Sequence, residues 1–280
     1  YQSLKETYAT TDLNLNINRL LLKDISAFAS FQYRSQPLNF NYHLFQSDFK
    51  EYNWSNTNLV NQNTSSKSVG VSHPKWGNVS AAWSTINNYG FFVNRTPLNS
   101  LNKKFKVEVL QLDKQIDYFK ARFNQRLDFG KLSWINNVQY QKVTQEQDLD
   151  QILGDPLTLN VPEWLIRSTL MLTSSIFNKA LSFQSGATFV FFTDYYADQY
   201  NPLLSEFVTQ NNTKIGEYPR IDFFFNAKIK SSRIFIKLEN VSATIEHLIN
   251  VDTPYDYYAA PFTPYRDFSI RFGLIWNFFQ

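Results

Sequence analysis

Apolar and polar residues alternate with period two along most of the chain. Leu13, Leu15 and Ile17 are interleaved with Asn14, Asn16 and Asn18, which gives an extended segment one apolar and one amide face. Ile25, Ala27, Ala29, Phe31 and Tyr33 repeat the pattern against Ser26, Ser30, Gln32 and Arg34, and Leu38, Phe40, Tyr42 and Leu44 repeat it against Asn39, Asn41 and His43. Phe119, Ala121, Phe123 and Leu127 oppose Lys120, Arg122, Asn124 and Arg126 before a turn over Asp128–Lys131, and the chain returns through Leu132, Trp134, Val138 and Tyr140. Leu181–Phe191, Ile221–Ile229 and Ile234–Leu238 behave likewise, the last two joined at Ser231-Ser232. Phe28, Phe224 and Phe235 interrupt the polar side of their segments.

This periodicity predicts an all-β antiparallel meander of about 14 strands, each long enough for the roughly 9 to 11 residues that cross a bilayer at a tilt. Longer polar stretches at Asn53–Ser66, Thr144–Asn160, Tyr195–Lys214 and Asn240–Arg266 read as loops at one rim, with Phe129-Gly130 and Ser231-Ser232 as short turns at the other. No Pro/Gly-rich linker or internal repeat divides the chain, so residues 1–280 form one domain.

Composition strengthens the sheet reading. Phe 26, Tyr 16 and Trp 6 against Gly 8 favour strands. No apolar run reaches the ~18 residues of a spanning helix. The mean hydropathy of −0.36 is compatible with a membrane barrel, whose strands average lipid-facing and lumen-facing residues. A soluble sandwich also alternates, but it hides its apolar face in a closed interior. Here aromatics are spread over all strands while Lys, Arg, Asn and Gln recur opposite them. The terminal segment decides: Phe268, Ile270, Phe272, Leu274, Trp276 and Phe278 form an unbroken stripe, a hazard for a soluble edge strand. A membrane barrel lets it face lipid and pair with the first strand.

Charge is nearly balanced, 27 basic to 24 acidic for a net +3, and does not imply nucleic acid. Cysteine is absent, so disulfides, thiolate metal sites and cysteine nucleophiles are excluded. His43, His73 and His247 are widely separated and fit no metal-ligand spacing. No Gly-x-Ser-x-Gly element or glycine-rich phosphate loop occurs. The chain is therefore expected to be neither an enzyme nor a cofactor-binding protein. Tyr1–Asp12 lack the features of a signal peptide.

The polar side of the alternation is rich in cations. Lys104, Lys106, Lys120, Arg122, Arg126, Arg167, Lys228, Lys230, Arg233, Lys237 and Arg271 share it with Glu108, Asp128, Asp222 and Glu239. As lumen-lining residues they would favour anions. Alternatively, Asp222 or Glu239 pairs with a neighbouring Lys or Arg and stiffens the wall. Trp76, Trp164, Tyr195, Tyr196, Tyr257 and Tyr258 are candidates for interfacial aromatic girdles.

Phe272-Gly273-Leu274, Trp276 and Phe278 resemble the terminal signal that delivers outer-membrane proteins to the barrel assembly machinery, with Gln280 after Phe278-Phe279 as a departure from its strictest form. Glu51–Trp54, Tyr195–Pro202, Asn211–Lys228, Arg233–Val241, Thr253–Tyr255 and Phe272–Phe279 together resemble the putative porin family of Bacteroidota. That resemblance implies a barrel in the bacterial outer membrane, surrounded by lipid, with presumed pore function and without catalytic residues. Its members are usually longer, so this chain is expected to be the carboxy-terminal part of a longer barrel. The expected function is passive diffusion of small polar solutes. The alternative is a structural or accessory barrel subunit that docks on other outer-membrane proteins.

Overall fold

The computed structural model describes residues 8–18, 24–94, 107–145, 159–178, 180–248 and 258–276. Eleven strands form one antiparallel sheet in chain order: β1 (Ala9–Asn18), β2 (Ser26–Gln36), β3 (Gln62–His73), β4 (Gly77–Asn87), β5 (Ile116–Phe129), β6 (Leu132–Gln145), β7 (Trp164–Ile176), β8 (Leu181–Phe192), β9 (Arg220–Ile229), β10 (Ser232–Glu239) and β11 (Ser269–Trp276). No helix among the described residues is long and apolar enough to cross a membrane.

The strand count falls short of the expected 14 because period-two segments are also used inside loops. Leu38–Leu44 is not a sheet strand: Phe40–His43 is a helical turn, followed by a two-residue strand at Leu44–Phe45 paired with Trp54–Ser55. Small hairpins likewise pair Gly90–Asn94 with Val107–Gln111, Gln199–Asn201 with Glu206–Val208, and Tyr258–Ala260 with Thr263–Pro264.

The strand ends joined through 74–76, 130–131, 177–180 and 230–231 lie at one rim, and those joined through 37–61, 88–115, 146–163, 193–219 and 240–268 at the other. Gly130 (φ 65°) supplies the left-handed residue of the two-residue turn between β5 and β6. The expected loop Asn53–Ser66 ends earlier, since Gln62 already belongs to β3, and the connection 88–115 is an additional loop.

Register fixes the two faces. The directly opposed series Leu13, Phe31, Lys67, Trp83 and Phe119 lies on one side, and side chains alternate from there. That side carries Val69, Val79, Trp134, Leu170, Phe189, Phe223 and Ile234, all substantially exposed. On β11, Phe272 is 82% exposed. A predominantly apolar, solvent-accessible surface of this kind, interrupted by Lys67 and Lys142, suits hydrocarbon rather than water.

Aromatic rings on this face run Trp83, Phe119, Tyr140, Trp164 at centroid separations of 5.3, 6.1 and 4.9 Å. They form a belt on the long-loop side. Trp76, Phe129, Phe177 and Trp276 stand exposed toward the short-turn rim. Trp76 and Trp164 thus take girdle-like positions, whereas Tyr195, Tyr196 and Tyr258 belong to loops and Tyr257 lies outside the described residues.

The phenylalanines that break the polar face have a common explanation. Phe28 is opposite Gly70, Phe224 opposite Gly186, and Phe235 opposite Gly273. A Cβ at any of these glycines would collide with the facing ring. The ring covers backbone that a glycine leaves bare, so these apolar residues are accommodated on the polar side.

Among the described residues β1 and β11 are the two edges of the sheet and do not pair with each other. The expected closure of the last strand onto the first is therefore not made among them. In an eleven-strand meander the two edges run in the same direction, so direct contact would be parallel, against the antiparallel pattern of bacterial barrels.

Candidate functional site: the polar face and the loop layer above it

The residues expected to line a lumen lie together. Lys120, Arg122, Arg126, Arg167, Asp222, Lys228, Arg233, Lys237, Glu239 and Arg271 all project from the face opposite the apolar one, as the pairing registers require. Lys230 stands in the turn after β9, and Lys104 and Lys106 lie outside the described residues. Glu108 is a correction: it sits in the loop hairpin with Val93, not on the sheet. In the terminal signal, Phe272, Leu274 and Trp276 are exposed on the apolar face, Gly273 lies under Phe235, and Phe278 is outside the described residues.

Charges on the polar face fall into two kinds. At the β9–β11 end, Glu239 receives Lys237 Nζ at 2.8 Å, Arg271 Nε at 2.9 Å and Arg266 Nη1 at 3.3 Å. Asp222, buried, has Lys237 Nζ at 3.4 Å and Arg220 Nε at 3.9 Å, and accepts the Asn240 backbone N–H at 2.9 Å. Arg220 also donates to the Tyr265 hydroxyl at 2.7 Å. This confirms the pairing alternative for Asp222 and Glu239. Arg126 is likewise engaged by Asp128 at 3.0 Å, which accepts a hydrogen bond from Ser133.

Lys120, Arg122, Arg167, Lys228 and Arg233 make none of the ion pairs found among the described residues. Arg122 Nε donates to Gln139 Oε1 at 2.7 Å, and Lys120 Nζ sits 5.8 Å from the Tyr118 ring centroid. Lys228 and Arg233 are direct cross-strand partners, an arrangement that costs stability unless an anion intervenes.

Above this face the loops build a core of their own. Tyr52, Phe92, Val107, Leu204 and Val208 cluster, with Tyr42, Phe45, Trp54 and Val109 packed against them. Tyr42 stacks on Phe92 at 4.5 Å. Asn39 and Asn41 both donate to Glu206 Oε1 at 3.0 Å, and Thr209 N–H donates to Phe92 O at 2.8 Å. These contacts join the β2–β3, β4–β5 and β8–β9 loops, although β3 and β8 are five strand spacings apart, about 24 Å of sheet.

The loops come together on the polar side. Ile116, at the top of β5 on that face, is fully buried, Gln141 donates to Pro162 O at 2.7 Å, and Phe192 meets Tyr195 and Tyr218 edge-on. Within the layer Asp198 has one carboxylate oxygen buried without a partner. Burial holds its carboxyl above the usual range, opposed in part by a hydrogen bond from Thr209. Burial, aided by the Asp198 charge, pushes Tyr89 up to about 12 and also raises Tyr195.

Sequence patterning did not single out Arg220, although it continues the alternation of β9. Arg266 and Asp198 lie in loops where no periodicity marks them. Among the described residues no group of three or more His, Asp or Glu is placed to hold a metal ion.

A family model described as putative porin matches residues 2–280. Comparison with curated proteins finds no match. Among solved structures the chain is similar to the ferric enterobactin receptor of Pseudomonas aeruginosa, in two mutant forms and in a complex with BCV-L6. The TM-scores are 0.52, 0.51 and 0.52 at 15%, 13% and 14% identity. The matches cover 84%, 84% and 83% of this chain and 34%, 35% and 35% of the receptor chains. The likeness is one of fold, and this chain spans about a third of the receptor's length.

Proposed function

Because the chain belongs to the putative porin family, we propose that it forms an arc of an outer-membrane β-barrel whose polar face lines a passage for small polar solutes, with a preference for anions. The observation that carries this reading is the division of the sheet: one face apolar and exposed, the other bearing cations that no carboxylate of the wall neutralises. Lipid covers the first face, and water and solute occupy the second. The same-direction edges β1 and β11 support an arc, since antiparallel closure needs an odd number of further strands between them. The loop layer narrows the mouth of the passage. The reading gives the chain no catalytic chemistry and no cofactor. Delivery to the membrane would run through the barrel assembly machinery, which reads the β11 stripe.

The test is single-channel recording of the full-length protein in a planar bilayer under a salt gradient. Steady steps with a reversal potential on the anion side are expected. A folded barrel that passes no current would overturn the passage and leave the second reading, a structural or accessory subunit for other outer-membrane proteins. The observation favouring that second reading is the loop core itself, in which Phe92 and Val93 are 1% and 0% exposed above the polar face.

A further inference from the structure

On the reading that the polar face lines a passage, we infer that Arg122 and Arg167, set among Asn124, Asn137 and Gln139, form a binding station for a small oxyanion of the phosphate, sulfate or carboxylate class. The register puts Arg122 opposite Gln139, and Arg167 opposite Asn137, which in turn faces Asn124. The arginines stand two strands and two residues apart, roughly 12 Å between backbones from strand spacing and rise, a gap that two extended guanidinium side chains can close from either side. Both line one depression of about 330 Å³ together with the three amides and the apolar Leu165, Val190 and Phe192.

The chemistry of this depression is one-sided. Gln139 takes only Nε of Arg122, which leaves the paired terminal nitrogens of that guanidinium available. The Arg167 side chain is exposed and joins none of the side-chain hydrogen bonds or ion pairs found among the described residues. No carboxylate lines the depression, and of the acids farther along the wall Asp128 is committed to Arg126 and Asp222 to Arg220 and Lys237. Planar guanidinium forks match the paired oxygens of an oxyanion, and neutral amides add donors without competing charge. A lysine pair would hold such an anion less selectively. Lys120, one row higher on the same strand as Arg122, adds positive potential toward the loop side.

Inorganic phosphate is the probe. Full-length protein in detergent micelles, titrated with phosphate and followed by phosphorus NMR line broadening, should show saturable binding. Arg167→Gln and Arg122→Gln should each weaken it roughly tenfold or more, with unchanged circular dichroism, and Arg122→Lys should weaken it less. Lys228→Gln, on the same face but outside the depression, should leave it unchanged. Absence of saturable binding, or binding that both arginine variants retain, overturns the station. Arginine-dependent binding in a protein that conducts no current upholds the station and overturns the passage on which its transport role rests.

Discussion

The polar face holds two sets of cations made from the same side chains and put to opposite use. Between β9 and β11, Lys237, Arg220, Arg266 and Arg271 surround Asp222 and Glu239, and their charges are spent on each other and on the wall. Two strands away Arg167 has no such partner, and four strands away Arg122 has only an amide. The difference lies in what the neighbouring strands offer: β9 and β10 supply Asp222 and Glu239, whereas β5 and β6 supply Asn124, Asn137 and Gln139. On the proposed reading, an arginine on the wall is a strut where it faces a carboxylate and a solute contact where it faces an amide.

Removing Asp222 breaks the first set most severely. Asp222→Ala leaves Arg220 and Lys237 without their shared acid and strands the buried Asn240 N–H, at a cost of about 3 kcal/mol, read as a lower urea midpoint for the refolded barrel. The same variant should move the reversal potential further toward anions, because the wall loses a negative charge while Lys237 keeps Glu239 and Arg220 keeps Tyr265. Next in size is Gly186→Val. It drives a side chain into the Leu170 backbone oxygen and into the ring of Phe224, which stands beside Lys237 in the cross-strand row, and should cost about 1–3 kcal/mol. Phe224→Ala in the same chain should recover the share of that loss due to the ring, and a double mutant no better than the single would assign the whole loss to the Leu170 backbone.

Asp198 sharpens the contrast from the loop side, as a buried acid with a hydroxyl but no cation against it. Its raised pKa means that the folded layer holds the proton more tightly than the unfolded chain. The associated stability is complete below the ordinary carboxylate value of about 3.9 and is lost as pH rises through the folded value. Asp198→Asn should therefore slow amide exchange across Phe91–Val93 at neutral pH and flatten its pH dependence; faster exchange in the variant would contradict this. The smallest effect on stability belongs to Arg167→Gln, expected within about 0.5 kcal/mol of the parent by urea unfolding, while the reversal potential shifts toward neutral. A large stability loss there would place Arg167 with the struts.

The division into faces was legible from alternation alone, because a strand's period of two survives any tertiary context. Which cations are free was not, since it depends on register and on Arg266, a loop residue. The sheet count was overestimated for a related reason: alternation around Leu38–Leu44 fits a strand, yet Asn39 caps the helical turn there by accepting from the Asn41 N–H. The inward loop core escaped because Tyr52, Phe92 and Leu204 are far apart in sequence, and each reads as an ordinary loop residue until the β2–β3 and β8–β9 connections meet. Phe28, Phe224 and Phe235 were visible only as irregularities, for their glycine partners lie on other strands.

Those three rings also bear on how the sheet finds its alignment. A slip of one residue between neighbouring strands turns every apolar side chain to the wrong face and is rejected at once. A slip of two residues keeps both faces intact, so amphipathicity cannot detect it. Yet such a slip would bring Phe28 against Ser68 or Ser72, Phe224 against Gln184 or Thr188, and Phe235 against Arg271 or Ile275, each with a side chain in the space the ring occupies. The seams β2–β3, β8–β9 and β10–β11 thus carry a lock and key for even-numbered slips, and assembly can proofread the wall seam by seam.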